Sequence, residues 1–312
     1  MTAKRATAFA PATVANVAVG FDVLGFALEQ PGDRVSVAFV PGSGPLTIEV
    51  RSSSNEISCE PERNTAAVAA QQLAERVQLE GRLTIVVKKG IPLASGLGGS
   101  AASAVASVVA LNHLLGKPLS RAELLQCALS AEAAASGAAH ADNVSACLLG
   151  GLQLVLPTSP PEPFALPVPR GLRAVVVHPA LQVETRRARE ILKPSIALDE
   201  HVRQSACLAG FVTGLHRGDV DVLKRTMVDG VIAPQRSILV PGFDEARVRA
   251  MAAGAIGFSL SGSGPSVFAW VRSPRDAVRV GGAVRAVFKK HGLRSVAWTS
   301  ILSARGARVL RK

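Results

Sequence analysis

The stretch RLTIVVKKGIPLASGLGGSAASAVASVVALNHLLG, residues 82–116, opens as a β-branched strand and closes as an alanine- and valine-rich helix stopped by Gly116 and Pro118. Between the two, from Ser95 to Ser103, Leu97 is the only large side chain and nothing ionises. Glycines let a backbone come close to a ligand and turn successive N–H groups toward it. A helix N-terminus adds unpaired donors and a positive partial charge. Strand, bare loop and helix in this order make a cradle for an anion, above all a phosphate. A lone Gly-Gly pair would mean no more than a tight turn with close helix packing. GLGGSAAS directly after a strand favours phosphate.

Two familiar phosphate systems fit poorly. A Walker loop needs a lysine after its glycines, and none follows here. GLGGSA satisfies the dinucleotide pattern G-x-G-x-x-A, but that fingerprint requires a second strand ending in an acid about 20 residues on. Here Ser120-Arg121-Ala122-Glu123 is a capping box, so another helix follows, to about Ala135.

The 312 residues, with 48% hydrophobic and 19% charged, suffice for two globular domains. Aromatics are only 4%, so Ala, Val and Leu must build the core. No apolar run of membrane-spanning length occurs, and MTAKRATAFAPAT lacks the long apolar stretch of a secretory signal. Cys59, Cys127, Cys147 and Cys207 are scattered, as expected of reduced thiols in a cytoplasmic protein. The net charge of +12 is concentrated at the end: residues 272–312 hold eleven Lys and Arg against Asp276 alone. That raises the alternative of a basic RNA-binding module. However, Ser273-Pro274-Arg275-Asp276 starts a capped helix with Ala277, Val280, Val284 and Val287 on one face. A solvated helix face accounts for most of the charge, and nucleic acid is not an expected partner.

Further strands are expected at 5–10, 34–40, 46–50 and 150–156, and a helix from near Asn64. The proline-rich stretch 157–171 marks a division into 1–160 and 161–312. Beyond it, strands at 172–178, 256–262, 265–271 and 294–302 and the helix at 274–290 predict a β-α-β-β-α-β, ferredoxin-like unit. Helices are expected between them at 185–192, 199–216, 220–227 and 244–253.

Three motifs together carry a resemblance. Pro92–Ala102, APATVANVAVGFDVLGFAL at 10–28 and GAIGFSLSGSGPSVFAW at 254–270 resemble, in order, the three motifs of the GHMP kinases. PAT-x-AN-x-x-x-GFD-x-LG and SAEAAASGAAHADNVSACLLGG (130–151) are most similar to the homoserine kinase branch. The resemblance implies an α+β fold, with an N-terminal nucleotide-binding domain and a C-terminal ferredoxin-like domain. It implies ATP-dependent phosphorylation of L-homoserine, on the threonine pathway, in a homodimer that acts on small molecules and not on membranes. A GHMP kinase for another small alcohol, such as a mevalonate-type substrate, is the alternative. A nicotinamide-dependent dehydrogenase is more remote.

The same resemblance assigns the site. Pro92, Ser95, Gly96, Leu97, Gly98, Gly99, Ser100, Ala101 and Ala102 hold ATP, and Ser100 and Glu132 hold Mg²⁺. Asp22 takes the substrate ammonium, with Asn16 and Asn143 orienting it and the hydroxyl. Thr185, Arg189 and Arg236 grip the carboxylate, where paired guanidiniums give bidentate recognition that lysines would not. His140 lines the pocket. In galactokinase-like relatives an aspartate is the base, so both roles stand for Asp22 at this stage. Lys88 and Lys89 read as solvated charge at the strand end. The chain departs from the family pattern at Gly99, at Ala18-Val19, and at Ile232, Ala233 and Gln235.

Overall fold

Alternation of buried and open positions organises the first half into strands β1 (Lys4–Ala15), β2 (Leu24–Pro41), β3 (Thr47–Ser52), β4 (Gly81–Lys88), β5 (Leu152–Leu156) and β6 (Glu162–Leu166). A computed structural model describes residues 4–52, 54–136 and 140–311. Val35, Val37 and Phe39 of β2 are buried opposite Val87, Ile85 and Leu83 of β4, which sets their register. The sheet runs β11-β1-β2-β4-β3, with β5 on β2 and β6 on β5; β11 is Arg308–Val309. β2 starts ten residues before the expected strand at 34–40. The run Glu29-Gln30-Pro31-Gly32 reads as a turn, yet the strand passes through it because β1 shifts register between Pro11 and Thr13.

Helices α1 (Thr65–Arg76), α2 (Gly99–Leu114) and α4 (Ala141–Leu149) pack on this sheet, and α3 (Arg121–Ser136) packs on these helices. Asn64 caps α1, accepting from the amides of Ala66 and Ala67. The buried residues of α2 are mostly alanine and serine, which lets α1, α3 and β1 approach closely around it. α4 was not expected; it fills the stretch between the helix expected to end near Ala135 and the strand expected at 150–156. Gly137, Ala138 and Ala139 of the family segment 130–151 lie outside the described residues, as do Met1–Ala3.

In the second half β7 (Arg173–Pro179), β8 (Gly257–Leu260), β9 (Val267–Val271) and β10 (Ser295–Ile301) form an antiparallel sheet in the order β10-β7-β9-β8. This is the expected ferredoxin-like order. Helices α5 (Thr185–Glu190), α6 (Leu198–Arg217), α7 (Val220–Thr226), α8 (Ile232–Arg236) and α9 (Phe243–Ala252) lie between β7 and β8, and α10 (Pro274–Lys290) follows β9. Val267, Ala269 and Val271 share a core with α9 and α10. Phe268 and Trp270 point the other way and meet Phe26 of β2 edge-to-face at 5.9 and 6.0 Å, so the two sheets share one core.

The dehydrogenase alternative fails on topology. β4 runs antiparallel to β2, β3–β4 is the only parallel pair among the described strands, and α2 leads into α3 rather than a strand. Ser273 caps α10 as expected, and two of the charges on its outer face are engaged locally: Arg279 pairs with Asp276, Lys290 with Glu245. All four cysteines are free, and no helix among the described residues is long and apolar enough to cross a membrane.

Candidate active site

The loop ahead of α2 is tied down from behind, carbonyl by carbonyl. Ala94 O accepts from Val183 N, Ser95 O from Ser266 N, Gly96 O from Ser261 Oγ and Leu97 O from Thr13 N. Gly98 O takes Ala102 N inside the helix, and Gly99 O takes the Lys89 ammonium. In a planar trans peptide, fixing the carbonyl turns the following N–H the opposite way. The amides of Gly96, Leu97, Gly98, Gly99 and Ser100 have no partner among the described residues. Two glycines make this possible. A Cβ on Gly96 (φ 72°) would fall 2.4 Å from Ser261 O, and one on Gly98 (φ 65°) 2.1 Å from Thr13 Oγ1. At Gly99 a Cβ would sit 3.4 Å from Lys89 Nζ, so the serine usual in the family would meet no clash.

Under the loop lies a feature the sequence did not disclose. Asp33, fully buried on β2, accepts from the Gly90 and Ile91 amides, the Ser103 hydroxyl and the Lys89 ammonium. Lys89 is therefore not a solvated strand-end charge. Its three donors go to Asp33, Gly99 O and Ser103 Oγ, so one buried ion pair clips both ends of the loop. Asp33 stands 56 residues before its partner, and no local pattern connects them.

The loop lines a cavity of about 430 Å³. Asn16, Asp22, Glu132, His140, Asn143, Thr185, Arg189 and Arg236 line it too, together with Pro92 and Ser95–Ser100. Ala101 and Ala102 do not; both are fully buried. Ser58, Arg63, Asn64 and Thr65, which carry no motif, also face it.

Asp22 sits on a turn whose residues Asn16, Val17 and Ala18 have φ of 69°, 44° and 62°. The left-handed φ at Ala18 explains why glycine is usual there in the family. Asn16 accepts from Asp22 N and donates to Gly262 O, joining this turn to the β8–β9 turn. Arg189 Nη2 donates to both Asp22 oxygens, at 2.9 and 2.8 Å. Arg236 is 3% exposed, not a surface charge. Its Nε donates to Ala188 O and its Nη1 to Gly262 O. Burial, with Arg189 beside it, lowers its pKa to about 10. Thr185 Oγ1 lies 3.5 Å from Ser263 Oγ.

Asp142 went unnoticed because it belongs to none of the three motifs and lies in a stretch where no helix was expected. Only 2% exposed, it accepts from the backbone and side chain of Asn143 and lines the cavity. Burial, then the charge of Asp22, push its pKa up to about 6. Asn143 Oδ1 in turn accepts from Thr13 Oγ1 at 2.6 Å. The His140 Nδ1 contact with Glu132 Oε1, at 3.4 Å, raises the histidine pKa.

Ser100 Oγ donates to Glu132 Oε1 at 2.8 Å. A hydroxyl and a carboxylate are hard oxygen donors, and one or two protein oxygens are the usual complement for Mg²⁺ beside phosphates. Among the described residues no three His, Cys, Asp or Glu cluster to hold a metal by themselves.

An α+β sandwich, a left-handed glycine loop with free amides and a ferredoxin-like partner define a small-molecule kinase of the GHMP type. Residues 64–151 match the GHMP kinase N-terminal domain and 211–290 the GHMP kinase C-terminal domain. The homoserine kinase of Xylella fastidiosa (strain M12) is 43% identical over 99% of this chain and 95% of its own. The crystal structure of homoserine kinase from Cytophaga hutchinsonii superposes with a TM-score of 0.95 at 40% identity, covering 98% of each chain. L. major mevalonate kinase, at TM-score 0.69 and 16% identity over 97% of each chain, shares the fold alone. The chain belongs to the homoserine kinase family of the GHMP kinases, which are ATP-dependent enzymes.

Proposed function

We propose that this chain transfers the γ-phosphoryl group of ATP to the side-chain hydroxyl of L-homoserine, giving O-phospho-L-homoserine for threonine biosynthesis. One observation carries the proposal: the unpartnered amides from Gly96 to Ser100 share a cavity with the carboxylates of Asp22 and Asp142 and the guanidiniums of Arg189 and Arg236. That pairs an anion cradle with a pocket for a zwitterion.

The amides and the start of α2 hold the phosphates. Ser100 and Glu132 hold Mg²⁺, whose charge offsets that on the phosphate oxygens. Asp22, with Asp142 behind it, receives the ammonium, and Asn16 and Asn143 orient the amino acid. Thr185, Arg189 and Arg236 receive the carboxylate, and His140 closes the pocket. In the free protein Asp22 and Arg189 neutralise one another; the substrate's ammonium and carboxylate would each replace one partner. The homoserine oxygen bonds to the γ-phosphorus as the bond to the β–γ bridging oxygen breaks, and the hydroxyl proton passes to an oxygen of the transferred phosphoryl group and from there to solvent. Through a loose transition state, positioning and charge neutralisation suffice, so Asp22 serves as ammonium acceptor rather than base. A mevalonate-type substrate would bring no ammonium to take the place of Arg189 beside Asp22 and Asp142. A cytoplasmic homodimer divided at 160/161 belongs to the same proposal, with β6 and β11 as the second-half segments that pair into the first sheet.

A coupled ADP-release assay across a panel of alcohols tests the substrate. Mg²⁺-dependent turnover with homoserine is expected; turnover only with another alcohol would reject it. Arg236→Lys should raise the homoserine KM about tenfold and leave the ATP KM unchanged. Lysine cannot reproduce a fork held by two carbonyls, and losing a charged bidentate contact costs about 1.5–3 kcal/mol. Equal effects on both substrates would contradict the placement of Arg236.

The raised pKa of Asp142 gives a pH signature. Its folded value of about 6 exceeds the ordinary 3.8, so the folded form keeps a proton that the unfolded chain releases between them. Its contribution to stability is therefore full below pH 3.8 and lost as pH rises through about 6. Binding an ammonium needs the ionised form. Accordingly kcat/KM for homoserine should rise with pH to a plateau above about 6, and Asp142→Asn should flatten that limb. An unchanged limb in Asp142→Asn would remove Asp142 from the ammonium site.

A further inference from the structure

We infer that Phe21 is a positioning residue, its ring holding the guanidiniums of Arg189 and Arg236 together for one carboxylate. The inference rests on the homoserine reading of the pocket. The ζ-carbons of Arg189 and Arg236 lie 5.3 and 5.2 Å from the Phe21 ring centroid, both within cation–π range. Two like charges this close repel, and the pair needs an attractive surface that does not consume their N–H donors. An aromatic face offers that; a carboxylate or carbonyl would compete with the substrate.

The edges of the two groups are held separately. Arg236 spends Nε and one Nη on Ala188 O and Gly262 O, and Arg189 spends Nη2 on Asp22. Arg189 Nε is buried without a hydrogen-bond partner. Thus edges are fixed by oxygens, faces by the ring, and donors are left for a ligand. Phe21 is half-buried and takes no part in the aromatic cluster of Phe26, Phe211, Phe268 and Trp270. It precedes Asp22 directly, so one turn, with Asp22 at φ 58°, presents the ring and the carboxylate to the same guanidinium. The role of Gly-Phe-Asp is then divided: the aspartate meets the ammonium, and the phenylalanine sets the arginines.

The test compares wild type with Phe21→Leu, Phe21→Met and Phe21→Tyr. Leucine and methionine keep an apolar side chain and delete the π face; tyrosine keeps it. Steady-state constants are measured for homoserine and ATP, along with inhibition by 3-aminopropan-1-ol, which is homoserine without its carboxylate. In Phe21→Leu and Phe21→Met the homoserine KM should rise about tenfold, with kcat, ATP KM and the inhibition constant of the amino alcohol within twofold of wild type. Phe21→Tyr should recover the wild-type homoserine KM. An unchanged KM in either variant that folds would overturn the inference, as would equal weakening of homoserine, ATP and the amino alcohol. No homoserine turnover by wild type would instead reject the reading beneath it.

Discussion

Asp33→Ala is expected to cost about 3–5 kcal/mol of folding free energy, the usual result of removing one partner from a buried ion pair. The loss is large because Asp33 satisfies four donors at once. Its removal strands the Lys89 ammonium, the Gly90 and Ile91 amides and the Ser103 hydroxyl in a site where Asp33 is fully buried and the Lys89 side chain is 9% exposed. Lys89→Met should lose a similar amount by leaving the carboxylate unpaired. Urea unfolding measures both. The double variant Asp33→Leu/Lys89→Met separates stability from function. Replacing a buried pair with apolar residues is often close to neutral, so much of the stability should return. The Gly99 carbonyl would still lack its clamp, so the ATP KM should stay raised. Full recovery of both would mean that the pair serves the fold and not the loop.

The second large effect is expected at Glu132. Glutamine keeps the size and an oxygen facing Ser100 but removes the charge. If Glu132 and Ser100 hold Mg²⁺, kcat should fall by about 10²–10³, or about 2.7–4 kcal/mol, on the scale of losing one group that stabilises transition-state charge. The Mg²⁺ titration should shift to higher concentration. An unchanged titration with a lowered kcat would move the metal elsewhere.

The parts of this site that the sequence disclosed are local, and the parts it hid are long-range. The glycine loop shows itself because strand, bare turn and helix are contiguous, and φ values of 72° at Gly96 and 65° at Gly98 are what that composition serves. The ferredoxin-like order was legible from four strand patterns and the Ser273 cap. By contrast, Asp33 reads as a turn residue beside Pro31-Gly32, and Lys89 as a charge at a strand end. Only the β2–β4 register, Arg34 opposite Lys88, brings them together. Phe21 reads as one more apolar residue until the two arginines, far off in sequence, arrive on its ring. β6 was missed for another reason: the proline-rich run 157–171 reads as a boundary, yet the chain there pairs with β5.

On the proposed reading, backbone amides with no lysine among them would hold the triphosphate while the amino acid lies between Asp22 and the two arginines. A crystal structure with a non-hydrolysable ATP analogue and L-homoserine tests it most directly. The phosphates should lie on the amides between Ser95 and Ser100, with the Asp22–Arg189 pair opened by the substrate's own charges. Phosphates bound away from those amides, or an amino acid outside that pocket, would contradict it.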